Sequence, residues 1–200
     1  LCGGRPVTVA LRPEHGMRVN AADIEAAITP RTRAVIINSP GNPTGAVTSA
    51  AELARIAEVC KQHNIWAISD EVYHPFVFGE TFGETLGGEA AVAPSIAAMT
   101  GWRIGYLLAP EAVIEQTGKI AELMHSSVNS LAQYAGVAAL AGPQDHVAAM
   151  REEYRAKRQI VLDGLAGCPV LRLIEPQGAF YAFVDVRLTG LDSGEFADRL

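Results

Sequence analysis

Arg33 to Asn38 (RAVIIN) and Ile65 to Ser69 (IWAIS) are continuous apolar runs of strand length, and the residues between them decide the fold. The first run stops at a turn cluster, Ser39-Pro40-Gly41-Asn42-Pro43-Thr44-Gly45. A helix then spans about Ser49 to His63. Ser49 and Glu52 stand at capping-box spacing, and Leu53, Ile56, Ala57 and Cys60 recur on one face. Strand, crossover helix and strand make a β-α-β unit, so the two strands are expected to be parallel with a right-handed crossover. The Asn42 turn and Asp70 therefore both follow the carboxyl ends of neighbouring parallel strands, where open α/β sheets bind ligands.

Outward from this unit, Val7 to Leu11 reads as a short strand and Asn20 caps a helix running to about Ile28. Beyond Tyr73 the chain is irregular and Gly-rich through Gly88, and Ile104 to Ala109 reads as another strand. Helices are expected over Glu111 to Met124, Ser130 to Leu140 and His146 to Leu165. Strands follow at Val170 to Ile174 and Ala179 to Val186, joined through Pro176-Gln177-Gly178, and a last helix opens at Ser193 as N-cap. This order predicts an α/β domain over residues 1–142 and the start of a smaller α+β domain over 143–200. A start at Leu1 and an end within the last helix suggest a piece of a longer chain.

The composition narrows the function classes. Hydrophobic residues make up 49% and charged residues 19%, which excludes a disordered chain. A net charge of −6 offers no broad basic face to nucleic acid or to anionic membrane. No apolar stretch approaches the length of a membrane span. The three cysteines, Cys2, Cys60 and Cys168, are odd in number and widely spaced. They suit a reducing cytoplasm better than a disulfide framework or a metal cluster.

Asp70 ends an apolar strand, where an unpaired carboxylate is costly to bury. A lone acid there is most often a cap or an ion-pair partner. Here Glu71, Val72 and Tyr73 follow it directly, and Asn42 sits in a Pro-flanked turn one β-α-β unit upstream. A carboxylate, a phenol and an amide at one sheet edge can hold a polar heterocycle from several sides. Gly101-Trp102-Arg103 adds an arginine able to clamp phosphate, although Trp is most often core and Arg most often solvated.

These segments together resemble the class I/II aminotransferases among the fold-type I pyridoxal phosphate enzymes. The resemblance rests on Asn38 to Gly45 (NSPGNPTG), Ser69 to Tyr73 (SDEVY) and Ala98 to Tyr106 (AMTGWRIGY), with a softer match at Pro176 to Tyr181 (PQGAFY). It implies a three-layer α/β/α large domain with a mostly parallel sheet. It also implies pyridoxal 5′-phosphate as cofactor, amino acid and 2-oxo acid substrates, and a homodimer with active sites at the subunit interface. By this resemblance Asp70 pairs with the pyridine nitrogen, Asn42 and Tyr73 hydrogen-bond the ring's 3-oxygen, and Arg103 neutralises part of the phosphate. Glu71, on the other side of the chain, is structural. By the same resemblance Phe180 and Tyr181 would lie near the substrate side chain, but they stay outside the site, because aromatic residues in a strand are most often core. No metal ligand set is implied.

One position departs from the pattern. The family's lysine, which forms the Schiff base and shuttles the substrate proton, lies eight residues before the Arg of Gly-Trp-Arg, and here that position is Ser95. Lys61, Lys119 and Lys157 are the only lysines, and all fall in helical segments. Either Ser95 replaces the lysine, or a lysine belongs between Ser95 and Ile96. The second reading also accounts for the shortness of the segment from Glu80 to Ser95. Arg172 and Arg187 are the arginines in the right half of the chain for gripping a substrate carboxylate, though each reads first as a solvated strand-edge residue. The expected activity is transamination. The alternatives are a C–S β-lyase of the same cofactor, which Tyr73 disfavours because such relatives usually carry His there, and a non-catalytic aminotransferase-like domain if serine is the true residue.

Overall fold

A computed structural model of the protein describes residues 3–78 and 101–200. The described residues fall into two compact units, 3–78 together with 149–200, and 101–148. No described helix is long and apolar enough to cross a membrane.

In the first unit, strand β1 (Ala34–Asn38) pairs in parallel with β2 (Trp66–Asp70). Helix α2 (Ala50–Gln62) connects them, and the short helix α1 (Ala21–Ala27) precedes β1. The β-branched Val35, Ile36 and Ile37 suit β1, and the 3.6-residue apolar repeat suits α2. Ala21, Ile24, Ile37, Leu53, Ile56 and Cys60 form the core between these helices and one face of the strands. Burial pushes the Cys60 thiol up, as expected of a small apolar filler and not of a reactive cysteine. Ile36, Trp66 and Ile68 stand exposed on the opposite face.

The helix starts follow the capping logic with one change. Asn20 Oδ1 accepts from Ala22 N–H at 2.9 Å and from Asp23 N–H at 3.3 Å, and Ser49 Oγ accepts from Glu52 N–H at 3.3 Å. Glu52, however, does not close the box on Ser49. Its Oε1 accepts instead from Ala21 N–H at 2.6 Å, so the start of α2 is tied to the start of α1.

The C-terminal segment returns to the same unit. Helix α5 (Asp145–Leu165), which belongs to this unit from Ala149 onward, leads to β3 (Arg172–Ile174), antiparallel to β4 (Phe183–Asp185), and then to helix α6 (Ser193–Asp198). The α6 cap is Asp192 and not Ser193: its Oδ1 takes both the Gly194 and Glu195 amides, at 2.8 and 2.9 Å. In the second unit, α3 (Glu111–His125) and α4 (Ser130–Ala141) lie as the periodicity predicts.

Two expected strands do not form among the described residues. Val7 to Leu11 and Ile104 to Ala109 are without ladder partners. In the second of these, Ile104 Cδ1 lies 3.2 Å from where a Cβ on Gly136 would sit, so that run is placed by packing on α4. β4 is also shorter than the run Ala179 to Val186 suggests: Ala179 and Phe180 continue the turn that precedes them, and the ladder begins at Phe183.

That turn, Pro176-Gln177-Gly178, joins the two halves of the first unit. The Gln177 and Gly178 amides both donate to the Gly45 carbonyl, at 2.8 and 2.9 Å, and Phe78 N–H donates to the Gln177 carbonyl at 2.9 Å. The backbones approach so closely that a Cβ on Gly178 would lie 2.7 Å from Pro40 Cγ and 3.0 Å from the Phe76 carbonyl oxygen. Gly178→Ala should therefore lower stability by about 1–3 kcal/mol in urea unfolding, since neither proline ring nor backbone yields easily. An unchanged midpoint would contradict this docking.

Candidate cofactor site

The site begins with the register of the two parallel strands. Asn38 and Asp70 are the last residues of β1 and β2 and are Cα partners, so both chains leave the sheet at the same level. The Asp70 carbonyl accepts from Ser39 N–H at 3.3 Å and from Asn38 Nδ2 at 3.2 Å. The other end of the same Asn38 amide, Oδ1, accepts from Asn42 N–H at 2.7 Å. One side chain thus ties the end of β2 to the turn after β1.

The turn closes on itself. Gly45 N–H donates to the Gly41 carbonyl at 2.8 Å and Gly41 N–H to the Ala46 carbonyl at 2.9 Å. Buried Thr44 accepts from Ala46 N–H at 3.2 Å, and Ser39 Oγ accepts from Thr48 N–H at 2.9 Å. A Cβ on Gly41 would meet Thr44 Oγ1 at 2.8 Å, which accounts for glycine there. The peptide bonds before Pro40 and Pro43 are both cis. Held this way, Asn42 is exposed, and its side-chain amide has no hydrogen bond among the described residues.

On the β2 side, Asp70 is exposed and its Oδ1 accepts from Val72 N–H at 3.2 Å. Glu71 accepts from Ser69 Oγ at 2.9 Å, the structural role expected of it. Tyr73 is 7% exposed, its ring edge-on to Phe180 and Tyr181 with centroids 5.1 and 5.4 Å away. Its hydroxyl oxygen lies 2.5 Å from that of Tyr181. Burial and this hydrogen bond push the Tyr181 phenol up to about 12.

The structure therefore brings Asn42, Asp70 and Tyr73 to one strand edge of one unit. Arg103 lies in the other unit, with its backbone at φ 54°. Ser95 lies outside the described residues. Arg187 is held by Asp185, Nε to Oδ1 at 2.9 Å and Nη2 to Oδ2 at 2.6 Å, and this pair draws the Asp185 carboxyl down to about 2. Arg172 is exposed at the edge of β3. Neither carries a signature of substrate recognition.

Two residues matter here that sequence reasoning did not select. Asn38 ends its apolar strand as Asp70 ends the next, so the criterion that singled out Asp70 applies to it equally. Tyr181 carried no such signal: its phenol is identified by its partner, which only the folded chain supplies.

A family model described as aminotransferase class I and II matches residues 1–200. The chain belongs to the class I and II aminotransferase family. Among its relatives is the arginine–pyruvate transaminase of Pseudomonas aeruginosa, 41% identical over 207 aligned residues covering 100% of this chain and 53% of that protein. The aspartate aminotransferase of Geobacillus stearothermophilus is 38% identical, covering 94% of this chain and 50% of that protein. The crystal structure of an aromatic aminotransferase from Pyrococcus horikoshii superposes with a TM-score of 0.88 at 35% identity, covering 98% of this chain and 55% of the other. This aminotransferase-family chain thus spans about half the length of the relatives it matches.

Its fold is the fold type I of pyridoxal phosphate-dependent enzymes, as the motifs implied. The donors present fit that cofactor. Asp70 offers an anion suited to a protonated ring nitrogen, Asn42 an unengaged amide, and Tyr73 a phenol suited to an anionic ring oxygen.

If Asn38 couples the two strand ends, Asn38→Ala should cost about 1–3 kcal/mol of stability and speed hydrogen exchange at the Asn42 amide. Asn38→Asp keeps the acceptor for that amide and should retain much of the protection. Equal exchange rates in the wild type and Asn38→Ala would show that the contact contributes nothing.

Proposed function

We propose that this chain carries the cofactor-holding part of a pyridoxal phosphate-dependent aminotransferase, which moves an amino group from an amino acid to a 2-oxo acid. The observation that carries the reading is the joint ending of β1 and β2 at Asn38 and Asp70, from which Asn42 and Tyr73 extend at the same edge. When bound, the cofactor supplies an electron sink for the carbanion at the substrate α-carbon. Asp70 holds the ring nitrogen in its protonated, positive form. Asn42 and Tyr73 would orient the ring by hydrogen bonds to its 3-oxygen. On this reading residues 1–142 belong to the cofactor-binding domain and 143–200 to the small domain.

We also propose a cytoplasmic homodimer. Its support is the unpaired Cys60 and Cys168, together with the apolar surface of α3 and α4, where Leu123, Leu131 and Tyr134 are 88%, 74% and 79% exposed.

The proton at the substrate α-carbon needs a base, which in the family is the lysine. Lys61 and Lys157 are engaged in their helices, Lys61 Nζ with Glu58 at 3.9 Å and Lys157 Nζ with Glu153 at 2.5 Å. Ser95 has no amine with which to hold a cofactor covalently. That residue favours a second reading, an aminotransferase-like domain that binds the cofactor without turning over substrate.

Mixing purified protein with pyridoxal phosphate, reducing with borohydride and mapping peptides separates these readings. A lysine adduct in the segment around Ser95 and Ile96 supports amino transfer. Spectral evidence of binding with no adduct supports the second reading. Absence of any binding contradicts both.

A further inference from the structure

We infer that Tyr181 is a positioning residue for Tyr73, donating its phenolic proton to the Tyr73 oxygen so that the Tyr73 proton is directed to the 3-oxygen of the cofactor. The inference rests on the pyridoxal phosphate reading above and adds to it a residue outside the strand-edge motifs.

The geometry leaves little freedom. The two hydroxyl oxygens are 2.5 Å apart and the rings are perpendicular, so one proton lies between the oxygens and the second phenolic proton must point elsewhere. Two arrangements satisfy that contact, and a bound cofactor would select between them: an anionic 3-oxygen calls for the Tyr73 proton, which leaves Tyr181 as the donor within the pair. Burial and the hydrogen bond to Tyr73 raise the Tyr181 phenol, in keeping with a group that stays protonated. As donor it leaves Tyr73 with its own proton to give. A hydroxyl that already accepts a hydrogen bond is polarised toward donating one, which strengthens its grip on an anionic oxygen.

The scaffold around the pair is rigid. Gly178 is pinned to the Gly45 carbonyl, and Ala179 is fully buried at φ 58°, a left-handed conformation that a residue with a Cβ adopts only when its surroundings impose it. Phe180 stacks on Tyr154 of α5 with centroids 5.5 Å apart, and Phe76, 1% exposed, packs edge-on to both. Tyr181 is thus delivered to Tyr73 by the same turn that docks against the Asn42 loop. A shift of that turn would move the phenol and the loop together.

The test uses pyridoxamine 5′-phosphate, which carries an amine in place of the aldehyde and so binds without any lysine. Its affinity and the pH dependence of its ultraviolet absorbance, which reports ionisation of the ring 3-hydroxyl, are measured for the wild type, Tyr181→Phe, Tyr73→Phe and the double variant. Phenylalanine keeps the aromatic packing and removes only the oxygen, and thermal melts check that each variant is folded.

We expect Tyr181→Phe to weaken binding about five- to tenfold and to raise the pH at which the bound 3-hydroxyl ionises. The double variant should match Tyr73→Phe, because Tyr181 acts through Tyr73 alone. Should Tyr181→Phe be unstable, ultraviolet titration of the wild-type tyrosines supplies a second measurement, and a titration in which all five phenols ionise near the ordinary value of about 10 would count against the donor role. Unchanged affinity and titration in Tyr181→Phe, or losses that add to those of Tyr73→Phe, would overturn the inference and leave the cofactor reading standing. Failure of the folded wild type to bind the probe would remove both.

Discussion

The parallel register that ends β1 and β2 together, with Asn38 opposite Asp70, is the constraint from which the site follows. A strand pair offset by one residue would either turn Asp70 to the other face or carry Val35 and Ile37 away from the helices. The register is held from two sides. Ile37, Leu53, Ile56 and Cys60 bury one face against α2, and the Asn38 amide fastens the exit of β1 to the exit of β2. Core packing sets which residues face inward; the amide sets where the Asn42 turn begins.

A second level of order comes from far along the sequence. The turn at 176–178 places backbone donors on the Gly45 carbonyl, and the residues after it bring Phe180 and Tyr181 to Tyr73. A small C-terminal segment therefore completes the surroundings of a residue placed by the β-α-β unit. Such an arrangement makes the orientation of Tyr73 depend on the docking of two distant stretches, and Gly45, Gly178 and Ala179 are the positions where the backbones have least room.

Much of this was legible in the sequence, and the reasons differ by element. Strands β1 and β2 and helix α2 were read closely because apolar period, capping residues and turn residues all agreed. Val7 to Leu11 and Ile104 to Ala109 were not, because an apolar run becomes a strand only with a partner, and composition does not supply one. The Glu52 side chain left its local capping partner for the Ala21 amide, a tertiary contact that spacing alone does not reveal. The motifs single out Asn42, Asp70 and Tyr73. Tyr181 was set aside because its character as core aromatic and its role as hydrogen-bond partner look the same in one dimension, and Asn38 because a strand-end asparagine resembles an ordinary turn residue.

Asp70, at the end of β2, is proposed to pair with the pyridine nitrogen of the cofactor. Nitrogen NMR of bound pyridoxamine 5′-phosphate labelled with ¹⁵N in the ring tests this most directly. The account predicts a ring nitrogen that stays protonated well above its free-solution titration in the wild type and loses that protection in Asp70→Ala. A bound ring whose nitrogen titrates as it does in free solution, or identically in both proteins, would contradict it.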